Sequence, residues 1–154
     1  MSIFLNTANV APESLSSLNL AYLGDAVFEL MVRTTVAAQH GNRSVNKLSQ
    51  AGIKQARATA QSQFYHILQD KLTEEELAVL KRGRNAKSHS RAKNASVADY
   101  RRATGVEALF GYLYLKGQNE RLIELFELSQ ERGVEDVAPY VGTGIARPQN
   151  EVHE

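Results

Sequence analysis

The sequence predicts an all-α fold, a single helical bundle of about six helices. Apolar residues recur at three- and four-residue spacing along most of the chain, and no long stretch alternates apolar and polar residues with period two. The periodic segments are separated by short loops that carry serine, threonine or glycine, the residues that commonly cap helices. A chain of 154 residues is long enough to bury one substantial core.

Three helical segments are predicted in the first half of the chain. A short turn or helix lies near residues 13–17, and a long helix runs from about 18 to 39. The long helix is expected to stop near Gly41, because glycine readily adopts the conformation that ends a helix. A third segment runs from about 44 to 69, with Ser44 as its N-cap.

Three further helices are predicted in the second half. The fourth begins at Thr73, which forms the pattern of a capping box with Glu76. The fifth starts near Ser96 and continues through an apolar run to Gly117. The sixth covers residues 118–132. These segments are expected to pack as one domain.

The domain is predicted to cover residues 1–133, followed by an irregular tail over 134–154 that contains two prolines and little periodicity. Residues 87–95 form the one long polar loop. The absence of cysteine excludes disulfides and thiolate metal sites and fits a reducing compartment. The sequence shows no signal peptide and no apolar run of membrane-spanning length. We therefore expect a cytoplasmic protein without a membrane partner.

A basic block over residues 81–102 is the main feature of the charge distribution. It holds eight of the eighteen Lys and Arg residues and only one acid, Asp99, although the whole chain has a net charge of only +1. Such a block can be a solvated surface, but its lack of acids favours a polyanion such as nucleic acid. The residues predicted to contact phosphates are Arg82, Arg84, Lys87, Arg91, Lys93 and Arg101.

Two acids interrupt the most apolar helices. Asp25 lies in LAYLGDAVFEL (20–30), and Glu107 lies in GVEALFGYLYL (105–115), each with a glycine nearby. The glycines suggest that another group approaches these backbones closely. If the two helices pack together, the carboxylates repel each other unless a proton or a divalent cation lies between them, and hard oxygen ligands suit Mg²⁺. The alternative is that each acid forms a structural ion pair.

Other motifs are weaker or absent. Glu29 is followed four residues later by Arg33, which predicts a pair on the helix surface. The four histidines lack the spacing of a zinc site. There is no glycine-rich phosphate loop, so no nucleotide cofactor is expected.

The motifs YLGDAVFEL, LKRGRNAKS and VEALFGYLYL resemble, in this order, those of the ribonuclease III family. The resemblance covers roughly residues 18–128. The sequence has no room for the double-stranded-RNA-binding domain of ordinary members, so it resembles the compact bacterial mini-ribonuclease III branch. The resemblance implies a homodimeric, Mg²⁺-dependent endonuclease that cuts double-stranded RNA to give 5′-phosphate and 3′-hydroxyl ends. It also implies a role in maturing the ends of 23S ribosomal RNA precursors.

The resemblance carries over to this chain residue by residue. The family's motif aspartate falls on Asp25 and its glutamate on Glu107, which are the expected catalytic residues and metal ligands. Two further acids of ordinary members fall on Ala21 and Thr104. We therefore expect fewer protein ligands and more water around the cation, with Thr104 contributing through a water.

Two alternatives remain open from the sequence. The replacement of two acids by Ala21 and Thr104 is also what a non-catalytic RNA-binding factor of ribosome assembly would show. A purely structural helical interaction domain would explain the same acids as buried ion pairs.

Overall fold

The computed structural model describes residues 10–56, 58–87 and 96–132. These ranges contain a short 3₁₀ turn, six α-helices and no β-strand, so the predicted all-α fold is confirmed. None of these helices is both long and apolar enough to cross a membrane. The 3₁₀ turn covers Pro12–Ser14, and the helices are α1 (Ser17–His40), α2 (Val45–Ala56), α3 (Ala58–Leu68), α4 (Glu74–Asn85), α5 (Val97–Leu115) and α6 (Asn119–Arg132).

Most of the predicted helix ends agree with the structure. The α1 helix stops where expected, at Gly41, whose φ of +58° is the conformation that glycine adopts without strain. The predicted capping box is present, since Thr73 Oγ1 accepts from the Glu76 amide and the Glu76 carboxylate accepts from the Thr73 amide. Ser96 caps α5 by accepting from the Asp99 amide at 3.0 Å.

Some predicted segments have no simple counterpart. The single helix predicted over 44–69 corresponds to α2 and α3, which lie on either side of position 57, a residue outside the described ranges. The start of α1 was predicted one residue too late, because Ser16 caps it by accepting from the Asn19 amide. The loop beyond Lys87 and the tail over 134–154 also fall outside the described residues.

The α5 helix is the centre of the fold. It packs against α1, α3 and α4, and eleven of its nineteen residues are buried. The core therefore surrounds one helix, and α1, α3, α4 and α6 each contribute buried apolar side chains to it. Its largest fully buried side chains come from α3, α4, α5 and α6: Tyr65, Phe110, Leu68, Leu80, Leu109, Leu113 and Leu125.

Two pairs of glycines allow the helix backbones to touch. A Cβ atom on Gly24 of α1 would overlap the carbonyl oxygen of Glu107 on α5, and one on Gly111 of α5 would overlap that of Leu20. On the other side of α5, a Cβ on Gly83 of α4 would lie 2.8 Å from the Cα of Gly105. Any larger residue at these positions would have to separate the helices, so the glycines determine how closely α5 is held.

A buried ion pair joins α4 to α6. Arg121 of α6 binds both carboxylate oxygens of Glu76 at 2.9 Å, and the Glu76 side chain is only 8% exposed. Arg121 also donates to the backbone carbonyl of Lys71 at 2.8 Å. Because Glu76 also caps α4, one carboxylate both starts that helix and attaches α6 to it.

The glycine contacts predict a large effect of a single methyl group. Gly24→Ala is expected to lower the free energy of unfolding by about 3 kcal/mol or more, because the added Cβ meets backbone that cannot rotate away. The control is Gly52→Ala in α2, where the nearest atom to a new Cβ is 3.8 Å away. It should raise stability by about 0.5–1 kcal/mol, as glycine is the poorer helix former. Urea unfolding of both variants measures this, and equal effects would contradict it.

Candidate active site

The contact between α1 and α5 brings the two predicted acids together. Gly24 lies directly on the backbone of Glu107, and Asp25 is the next residue after Gly24. The two carboxylates are close enough that the charge of Asp25 raises the pKa of Glu107. Residues separated by 82 positions in the sequence therefore form one acidic pair at the junction of two helices.

The members of this pair have different surroundings. Glu107 is largely buried, and burial together with the charge of Asp25 raises its pKa to about 8. Asp25 is exposed at the helix surface, where partial desolvation and then the charge of Glu29 raise its pKa. Although Asp25 interrupts an apolar segment, it does not lie within the helix contact. Gly24 occupies that contact, and Asp25 lies at its edge.

A third polar residue, Gln61 of α3, lies beside Glu107. Its side chain is 2% exposed and donates a hydrogen bond to the Glu107 carboxylate. Gln61 was not among the site residues predicted from the sequence. A signal was present, however, since Gln61 begins an i, i+3, i+4, i+7 row whose other members, Phe64, Tyr65 and Leu68, are all apolar or aromatic and buried.

An aromatic cluster supports all three polar residues. Asp25, Gln61 and Glu107 are each followed three positions later by a phenylalanine. The rings of these phenylalanines pack together, with centroid distances of 5.2 Å between Phe28 and Phe110 and 6.1 Å between Phe64 and Phe110. The polar side chains therefore lie at the rim of a dry, well-packed core, which explains the strong desolvation of Glu107.

Two buried residues stand where ordinary family members have further acids, one four positions before Asp25 and one three positions before Glu107. Ala21 on α1 and Thr104 on α5 are each 6% exposed. The Thr104 hydroxyl donates to the carbonyl of Tyr100 at 3.0 Å, so its oxygen lone pairs remain able to accept from a water.

The acidic pair fits a divalent cation held by few protein ligands. Two carboxylates side by side, one of them largely buried, repel each other when both are ionised, and a cation between them removes that repulsion. Their hard oxygens suit Mg²⁺, which keeps several waters when it binds protein. In the described parts of the chain, no group of three or more histidine or acidic residues lies together so that it could hold a metal, so water would have to fill most of the cation's coordination positions.

The predicted basic residues divide into three groups. Arg82, Lys87 and Arg101 are exposed at the end of the domain where α4 finishes and α5 starts. Arg84 is half-buried and donates to the hydroxyl of Tyr65 at 2.9 Å, so it braces α4 against α3. The remaining two, Arg91 and Lys93, lie outside the described residues.

The surface of α1 around Asp25 has two further features. Glu29 accepts from Arg33 Nε at 3.0 Å, which confirms the predicted surface pair. Tyr22, one turn before Asp25, is 85% exposed, and Leu18 and Leu30 on the same helix are 38% and 50% exposed. A row of apolar side chains therefore faces solvent beside the acidic pair.

Comparison with known proteins identifies the class. The ribonuclease III domain family matches residues 18–118, which include both acids and most of the helical core. A crystal structure of a protein from Fusobacterium nucleatum superimposes with a TM-score of 0.70 at 28% identity, covering 78% of this chain and 95% of that one. The chain therefore belongs to the ribonuclease III family and is a ribonuclease III-type endoribonuclease.

Within this family, the chain is similar to proteins named mini-ribonuclease 3. It is 48% identical over 116 residues to the one from Clostridium tetani, which covers 75% of this chain and 77% of that protein. The relative from Symbiobacterium thermophilum is 46% identical over 120 residues, 78% of this chain and 92% of its own length. The resemblance to the compact mini-ribonuclease III branch is thus confirmed.

The raised pKa of Glu107 predicts a pH-dependent stability. The folded protein holds this proton up to about pH 8, whereas an unfolded glutamate loses it near 4.5, so stability should fall as pH rises between these values. Glu107→Gln removes that fall. In EDTA, the stability of the variant relative to the parent should therefore increase with pH across this window and then level off.

Chemical denaturation at pH 5 and pH 8.5 measures this difference. Adding Mg²⁺ at pH 8.5 should stabilise the parent and leave Glu107→Gln unchanged, because only the parent carries the pair of charges that a cation can join. Parallel pH profiles for the two proteins would show that Glu107 is not held in this environment.

Proposed function

We propose that this chain is a Mg²⁺-dependent endoribonuclease that cuts double-stranded RNA in the maturation of 23S ribosomal RNA precursors in the cytoplasm. The observation that carries the proposal is the meeting of Asp25 and Glu107 at the contact of α1 with α5. The ribonuclease III family acts on double-stranded RNA, and the relatives that match most of this chain are named mini-ribonuclease 3.

Asp25 and Glu107 would hold the cation between them, directly or through water. When bound, a divalent cation lowers the pKa of a water and offsets negative charge at the phosphate that is cut. Hydrolysis of the bond from phosphorus to the 3′ oxygen then leaves a 5′-phosphate and a 3′-hydroxyl. Asp25 is exposed at the surface, where a phosphate can approach it, while Glu107 is only partly exposed and accepts a hydrogen bond from buried Gln61.

The exposed basic residues would dock the RNA backbone. Double-stranded RNA presents phosphates and 2′-hydroxyls across a shallow minor groove, and its narrow major groove is closed to side chains. Arg82, Lys87 and Arg101 are exposed and carry positive charge that phosphates would attract. Arg84 contributes indirectly, since its bond to Tyr65 fixes the last turn of α4. Arg91 and Lys93 belong to the same basic block and are included in this proposal.

A homodimer fits the apolar row on α1. Tyr22 is 85% exposed although it is a large aromatic side chain, and Leu18 lies one turn away from it. Exposed apolar side chains that lie together commonly mark a protein interface. A two-fold pairing through this part of α1 would place two acidic pairs on one particle, one for each RNA strand.

The catalytic assignment predicts a loss of cutting without a loss of binding. Asp25→Asn or Glu107→Gln should reduce cleavage of a long RNA duplex by at least about 10³-fold, since each removes a charge that holds the cation. Binding of the duplex in a gel-shift assay should change little. Glu127→Gln, an exposed acid on α6, is the control and should cut at the parental rate.

The same samples separate the remaining possibilities. Parental cutting by either acid variant would refute the assignment. RNA binding without any Mg²⁺-dependent cutting by the parent would contradict the proposed function and would instead indicate a non-catalytic RNA-binding factor. Light scattering of the parent gives its oligomeric state, and a monomer at micromolar concentration would contradict the proposed homodimer.

The basic residues predict a change in salt dependence. Replacing Arg82, Lys87 and Arg101 simultaneously by glutamine should weaken duplex binding. The slope of log affinity against log salt should decrease in magnitude by about three, roughly one for each phosphate contact that is lost. Lys71→Gln is the control, because this exposed lysine precedes the opposite end of α4. An unchanged slope for the triple variant would exclude these residues from the RNA interface.

A further inference from the structure

Gln61 occupies a position where a polar side chain is costly. It lies on the buried face of α3, in a row with Phe64, Tyr65 and Leu68, and is 2% exposed. Burying an amide without all its hydrogen bonds destabilises a protein by about 1–3 kcal/mol. An apolar side chain of the same length would fill this space without that cost, so packing alone does not account for a glutamine here.

The nitrogen and the oxygen of the Gln61 amide differ in their hydrogen bonding. Its N–H donates to a Glu107 carboxylate oxygen, and this bond opposes part of the rise in the pKa of Glu107 because it favours the ionised form. Its Oε1 is buried and has no hydrogen-bond partner in the described part of the protein. Because both atoms belong to one amide, the unpartnered oxygen lies beside the bond to Glu107 and hence beside the acidic pair.

The surroundings keep this oxygen in place. Phe64, one turn after Gln61, is locked against Phe110 and Phe28, the residues one turn after Glu107 and Asp25. Packed rings on all three helices leave the backbone of α3 little freedom to move relative to the acids. The unpartnered oxygen is therefore a fixed part of the site.

We propose that Gln61 is a positioning residue of the cation site, whose N–H holds Glu107 and whose Oε1 accepts a hydrogen bond from water in the cation's hydration shell. This inference rests on the proposed function. Gln61 would supply a neutral oxygen to a site in which Ala21 and Thr104 provide no carboxylates. A cation with few protein ligands keeps more water, and groups that orient that water contribute to its binding.

The test is a pair of substitutions that retain side-chain length. Gln61→Met removes both polar atoms and fills the same space. The metal-free variant should be as stable as the parent or more stable, because the unpartnered oxygen is gone, while its affinity for Mg²⁺ falls by about 10-fold or more. Gln63→Met, on the exposed side of α3, is the matched control and should bind Mg²⁺ like the parent.

Gln61→Glu provides a second variant with the opposite expectation. A third carboxylate in the site should lower stability in EDTA and increase the stabilisation gained on adding Mg²⁺. Thermal unfolding and calorimetric titration of the whole chain with Mg²⁺ alone give both quantities without RNA. For Gln61→Met, kcat at low Mg²⁺ should fall and recover at high Mg²⁺, with little change in KM for the duplex.

The outcomes distinguish this inference from the proposed function. If Gln61→Met loses stability but binds Mg²⁺ as the parent does, Gln61 is structural and the inference is overturned, while the function stands. If the parent itself gains no stability from Mg²⁺, both are overturned. Weaker binding by Gln61→Met together with parental binding by Gln63→Met supports the inference.

Discussion

The direct contact between the backbones of α1 and α5 is the constraint on which the rest of the molecule depends. Gly24 and Gly111 leave no side chain between the two helices, so the carbonyl of each helix faces the glycine of the other. A similar contact at Gly83 and Gly105 draws α4 against the opposite side of α5. With α5 held on two sides at backbone distance, the side chains at the edges of these contacts have little room to shift.

This constraint has a cost that is concentrated in Glu107. Helix packing places its carboxylate against Asp25 and away from water, an arrangement in which the negative charge is unfavourable until a positive partner arrives. The protein tolerates this because the surrounding aromatic core is dense and the fold has a separate, fully paired ionic contact at Glu76 and Arg121. One part of the domain thus provides stability, while another holds two carboxylates whose charges are unfavourable until a cation binds.

The sequence predicted what lies within single helices better than what lies between them. The periodicity gave the fold class and most helix ends, since Thr73, Ser96 and Gly41 act through local hydrogen bonds and backbone conformation. Asp25 and Glu107 were selected because acids in apolar helices are unusual. Gln61 was missed because an uncharged residue disturbs an apolar row less visibly, and its partner is 46 positions away. The roles of Arg84 and of the outer face around Asp25 depend on which helix lies opposite, which spacing within one helix does not specify.

Glu76 shows how one side chain can make two parts of a protein cooperative. It closes the first turn of α4 through Thr73 and at the same time receives both arms of Arg121 from α6. Fraying of that turn would release the α6 guanidinium, and detachment of α6 would leave a buried negative charge at the start of α4. The two segments are therefore expected to open to solvent as one unit, so the amide hydrogens of the first turn of α4 and of α6 should exchange together.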